Sequence, residues 1–210
     1  MMSRYEGLKK IPREPALRQL ALSNMKLDTA LTSPASAPVE QVLAELERAD
    51  AYLDMLRVLA AALPARERVW WGCLAAEDLL GDPKTPPPSL AAAQAWVFKP
   101  SDATREKARQ AVELADSDDD TTLCATAVAM CDGKLGSGDL AQYDAPAGAA
   151  AMAILGMNLL SLGTAAAEAF DAHKTILIER ALDIARGGNG RQVEATPSST
   201  PEAVTEGDAP

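Results

Sequence analysis

The chain has 210 residues, 48% of them hydrophobic but only 4% aromatic, and a formal net charge of −10. That length fits one domain or two small ones. The acidic balance argues against nucleic acid as a general partner, because phosphate binding needs a basic surface.

Much of the apolar share is alanine, the strongest helix former, so closely packed helices with few bulky anchors are expected. Three cysteines (Cys73, Cys124 and Cys131) are present. An odd count with no apolar stretch behind the basic N-terminus fits reduced thiols in a cytoplasmic protein.

In chain order, residues 1–26 carry Arg4, Lys9, Lys10, Arg13, Arg18 and Lys26 against only Glu6 and Glu14. This reads either as a solvated leader or as a basic docking arm for an acidic partner. Pro12 and Pro15 interrupt it, a short helix over 16–24 can follow through Leu17, Leu20 and Leu22, and Thr32–Pro38 reads as a linker.

The body begins near Ser36, with Val39, Val42, Leu43 and Leu46 at helical spacing and Glu40, Gln41, Glu45 and Glu47 on the other face. A second helix carries Leu53, Leu56, Leu59, Ala60 and Leu63 and stops at Pro64. A third runs over about 65–80 to Gly81, and the proline-rich loop Gly81–Pro88 is the best internal boundary. Ser89 and Ser101 are candidate caps for the fourth and fifth helices. Asp116–Asp120 precede a sixth over 120–131, and an uncharged seventh follows Pro146. An eighth runs over about 165–186 and ends at Gly187 and Gly188.

These elements predict an all-α fold, a bundle or orthogonal array of about seven to eight helices over 37–188. Before it lies a basic, partly flexible leader (1–36), and after it a disordered acidic tail (189–210). No stretch alternates as a strand would. The uncharged run 145–167 is long enough to cross a bilayer, roughly 20 residues. Its alanine and glycine content and its lack of basic flanks point instead to a buried central helix.

No catalytic centre, cofactor motif or metal site is legible. Asp116, Asp118 and Asp120 mimic the start of a calcium loop, but Thr121 stands where that loop needs glycine and Ala127 where it needs glutamate. Cys124 and Cys131 sit two turns apart on an apolar stripe and read as structural thiols. His173 lies between Phe170 and Leu177 on the core-facing stripe of its helix. Gly136-Ser137-Gly138 lacks the spacing of a nucleophile elbow.

The densest unusual feature is Arg66-Glu67-Arg68-Val69-Trp70-Trp71. Adjacent helical residues diverge by roughly 100°. The two tryptophans therefore either contact different neighbouring helices, or Trp71 and Arg68 form an exposed patch of a kind common at binding hot spots. Arg66, Arg68 and Trp71, with Lys9 and Lys10 of the leader, are the candidate partner-binding residues.

The run Leu59–Cys73 resembles an L-A-x-x-L-P-x-R-E-x-V-W-W-x-C signature of an uncharacterised bacterial helical family. Ala93–Pro100 and Ala181–Gly188 are also similar to it. That resemblance implies a helical fold over roughly 37–188 and a genetic setting near secretion clusters, type VI in particular. It carries no established activity and supplies no catalytic residues. The alanine-rich helices also resemble some toxin-immunity proteins. The expected function is therefore a non-enzymatic adaptor or accessory protein that works by protein contacts, with no membrane span and with a homo-oligomer left open. The alternatives are an immunity protein that masks a toxin and an enzyme of unrecognised class.

Overall fold

The computed structural model describes residues 4–81, 84–136 and 138–191. Among them are nine α-helices and no strand: α1 (Ala16–Leu22), α2 (Val39–Arg48), α3 (Tyr52–Ala62), α4 (Ala65–Leu80), α5 (Pro88–Phe98), α6 (Asp102–Leu114), α7 (Thr122–Ala129), α8 (Ala149–Gly163) and α9 (Phe170–Arg186). The expected all-α array is present, with the short leader helix added to the eight of the body.

The helix ends follow local chemistry. Pro64 occupies the N-cap of α4, and Gly81 and Gly187 end α4 and α9 in the left-handed conformation that glycine tolerates. Ser101 and Thr104 form a reciprocal capping box at the start of α6. Ser89 does not cap its helix. The N-cap falls two residues earlier, at Pro87, with Pro88 opening the helix, and Ser89 is buried inside α5.

At the centre α4 packs on α8, and both touch α7 and α9. On one side α3 leans on α8 and α9, with α1 and α2 against it. On the other, α5 and α6 stack with α7. The loop 81–88 therefore joins two packed helices and is not a domain boundary; its Asp82 and Pro83 lie outside the described residues.

Small residues set the central spacing. A Cβ on Gly72 would lie 2.5 Å from Ile154 Cδ1, so glycine lets α4 and α8 approach closely. The uncharged run contains α8, which buries nine of its fifteen residues but leaves Met152, Leu159 and Leu160 exposed on the remaining face, and no helix among the described residues is long and apolar enough to cross a membrane.

Residues 4–36 pack onto the body and do not form a loose arm. Tyr5, Leu8, Ile11, Ala16, Leu20 and Met25 are all buried. The α1 helix forms, but it buries Ala16, Gln19 and Leu20 and leaves Leu17 and Leu22 exposed. Two carboxylates hold the chain after α1: Glu45 holds the start of the stretch that read as a linker, and Asp54 the residues just before it. Glu45, expected on a solvent face, accepts from Thr32 Oγ1 at 2.7 Å and from the Ser33 amide at 2.9 Å. Bonds from the hydroxyls and amides of these two residues hold its carboxyl down at about 2. Asp54 accepts from the Thr29 amide at 2.8 Å and from Arg57 at 2.5 Å.

At the N-cap of α8, Gly148 has φ +77°, and a Cβ there would stand 1.9 Å from the Ser23 carbonyl oxygen. Leader and body therefore meet backbone to backbone. The C-terminal boundary also moves. Asn189, Gly190 and Arg191 bond to the body, and the expected tail beyond Arg191 lies outside the described residues.

Candidate functional site: a basic aromatic groove

The run from Pro64 to Cys73 is a structural hub. Arg66 Nε donates to the Val97 carbonyl at 2.7 Å, and Arg68 Nη2 donates to the carbonyls of Leu63 at 2.7 Å and Ala61 at 3.1 Å. These oxygens lie at the C-terminal ends of α5 and α3, where intrahelical donors run out. A cation there also suits the negative end of the helix dipole. Burial without a facing carboxylate pushes the Arg68 guanidinium down to about 10.

Trp71 is fully buried, and its indole Nε1–H donates to the Leu177 carbonyl of α9 at 2.9 Å. The face of α4 that carries it meets α9 and not solvent. Trp71 cannot be an exposed anchor, and Arg68 is a helix cap beneath the surface rather than its companion in a patch.

The neighbouring tryptophan takes the outward position. Trp70 is half-buried, donates through Nε1 to the Asn189 carbonyl at 2.8 Å, and stands 6.1 Å from the Phe98 ring. The Arg191 guanidinium lies 4.9 Å over its ring on the side of the C-terminal turn. Phe98 is 74% exposed at the end of α5. Between these rings and the α9 C-terminus lies a groove of about 320 Å³, edged by Lys10, Arg66 and Glu67.

Two of the five expected residues, Lys10 and Arg66, thus come together. Lys10 pairs with Glu67 at 3.1 Å, while its backbone N–H donates to the Ala185 carbonyl at 2.8 Å. Arg66 is exposed and makes no ion pair among the described residues. Lys9 lies outside the groove, beside a separate cleft that includes Ile11 and Arg13. Sequence reasoning missed Trp70, Phe98, Asn189 and Arg191. Phe98 carried one signal, an aromatic residue in the last turn before Pro100, where no helical neighbour can cover it.

A second cleft, of about 600 Å³, surrounds His173. Ser161 Oγ lies 2.9 Å from His173 Nε2, and burial lowers the imidazole pKa. Glu77 and Asp78 also line this cleft, but each is matched to a cation: Asp78 to Arg180, and Glu77 to Arg191 at 2.9 Å. Ser161 sits within α8, where backbone N–H groups are used by the helix itself. Among the described residues lining the cleft, both carboxylates are thus held by arginines, and none is shown bonded to His173 as a triad acid would be.

Cys73 and Cys124 are buried free thiols on facing helices, and Cys131 is half-buried. Contact with Cys124 and burial hold the Cys73 thiol well above its usual range. Among the described residues no cluster of His, Cys, Asp and Glu could hold a metal ion.

An all-α domain with its tryptophan motif buried at the hub and one aromatic groove at the rim is the class that fold and site define. Residues 42–185 match a family of unknown function (DUF6931), and the chain belongs to that family. No curated protein and no solved structure matches it.

Proposed function

We propose that the chain is a non-enzymatic adaptor or accessory protein whose principal contact surface is the Trp70–Phe98 groove. The observation that carries this reading is Phe98, left 74% exposed against a tryptophan and beside the exposed, unpaired Arg66. Aromatic and arginine side chains contribute the largest binding energies when a partner desolvates them. The partner that fits presents an apolar side chain to the two rings and a carboxylate to Arg66. The paired acids of the His173 cleft support a role without chemistry, and the free thiols support a reducing, cytoplasmic setting.

The resemblance of residues 59–73 to a family encoded near secretion genes supports a place beside a bacterial secretion apparatus, type VI in particular. An immunity protein is the second reading, favoured by the net charge of −10, which suits masking of a basic toxin. The test is affinity capture from the native host with the wild type and with Phe98→Ala, Arg66→Ala. The double variant keeps its helical circular dichroism and loses the partner that the wild type retains. The partner's identity, apparatus component or toxin, separates the two readings. Equal retention by both proteins would remove the groove from consideration.

A further inference from the structure

At the other end of α4 and α5 lies a cleft of opposite character, about 570 Å³ in volume. Its walls are aliphatic: Leu80 from the end of α4, Pro87 and Pro88 at the start of α5, and Leu114 from the end of α6. Leu114 is 85% exposed and Leu80 39%. Asp116, Asp118 and Asp120 edge it, and their carboxylates make no ion pair or hydrogen bond among the described residues. The cleft is also lined by Ser89, a fully buried serine whose hydroxyl has no hydrogen-bond partner. A buried polar atom left without a partner is uncommon in a folded protein. Here it faces a site where a bound chain could supply one.

We infer that this cleft docks a basic, amphipathic segment of a second protein partner. One apolar side chain of the segment enters between Leu80 and Leu114. Flanking lysine or arginine side chains meet the aspartates, and a polar backbone group reaches Ser89. Charge complementarity selects this occupant, because three uncompensated carboxylates rim an aliphatic floor. An acidic segment would be repelled, and an uncharged one would leave the rim unused. The aspartates alone do not make a cation site, since no metal-holding cluster exists among the described residues.

The probe is a synthetic peptide of alternating leucine and lysine, with a leucine–glutamate peptide as control. Each is titrated into the full chain by fluorescence anisotropy, and the site is mapped by backbone amide chemical shifts. The lysine peptide binds, shifts Leu80, Ser89 and Leu114, and weakens at least ~10-fold in Leu114→Ala and in the triple variant Asp116→Asn, Asp118→Asn, Asp120→Asn. Ser89→Ala weakens binding several-fold while leaving thermal stability equal or higher, because it removes an unpartnered hydroxyl. Shifts confined to other surfaces, equal binding of the glutamate peptide, or unchanged affinity in both Leu114→Ala and the triple variant would overturn the inference. So would calcium alone shifting Asp116–Asp120, or self-association abolished by Leu114→Glu, which would assign the cleft to a cation or to a second copy.

Discussion

The helices α4 and α5 pack on each other, and their two ends differ in kind. At one end Arg66 and Trp70, from the start of α4, meet Phe98 from the end of α5: rings and cations. At the other, Leu80 and Pro88 meet the aspartates beyond α6: aliphatic carbon and anions. The fourteen residue steps from Arg66 to Leu80 put these ends about 20 Å apart at ~1.5 Å rise per residue. One pair of packed helices thus carries two surfaces of different chemical character, which the two proposals read as sites for partners of opposite charge. A net charge of −10 matches the aspartate end and not the Arg66 end, so a whole-chain average says little about local surfaces.

The comparison breaks most completely if the shared frame is lost. Trp71→Ala removes the largest fully buried side chain, the one that ties α4 to α9. It should cost ~3–5 kcal/mol, and both ends should fail together in chemical denaturation and in binding. Gly148→Ala attacks the frame from the leader side. It puts a side chain at positive φ, worth ~1–2 kcal/mol, and against the Ser23 carbonyl in addition. A thermal melt within a degree of wild type would refute that backbone contact.

The helices themselves were legible, because their punctuation is local: Pro64, Gly81, Ser101 and Gly187 act on the residues beside them. The choice between Trp70 and Trp71 was not. The two point roughly 100° apart, and which of them meets a neighbour depends on where α9 lies. The docked leader was equally hidden. Tyr5, Leu8 and Ile11 are buried from turns and not from a helix, and Glu45 and Asp54 occupy helix positions where a carboxylate ordinarily faces water. Their partners are backbone amides of a loop, joined by the Thr32 and Ser33 hydroxyls and by Arg57, and the amides leave no trace in residue identity. The groove was half legible: Arg66 and Lys10 were visible as charges, whereas Phe98 and Arg191 join them only through the packing of α5 and the turn after α9.

Smaller changes sharpen the comparison by acting on one region. Arg68→Ala leaves two carbonyls at the end of α3 without their charged donor, a loss of ~1.5–3 kcal/mol. Its effect should fall on the groove end first, seen as faster amide exchange at Ala65–Trp70 than at Leu114–Thr121. Glu45 acts on the leader and through pH. Its carboxyl titrates lower in the folded chain than in the unfolded one. The stability it contributes is therefore fully present above its ordinary value of 4.5, and is lost as pH falls towards about 2. Glu45→Gln should flatten the acid limb of a stability-against-pH curve and leave neutral-pH binding at both ends in place. An unchanged acid limb would mean that the loop 32–33 is held by something else.

The smallest effect on stability is the most informative for function. Phe98 and Leu114 are 74% and 85% exposed, so truncating either to alanine uncovers almost no core. Substitutions at such surface positions are usually within about ±0.5 kcal/mol. Each residue sits at only one end of the paired helices, too far from the other for their effects to couple. Phe98→Ala should therefore abolish the groove partner and leave the leucine–lysine peptide bound with unchanged affinity, and Leu114→Ala should do the reverse. The measurement is a pair of titrations on each variant with its melting curve alongside. If either single change weakens both ligands in a fully folded protein, the two ends are one coupled site, and the division drawn between them fails.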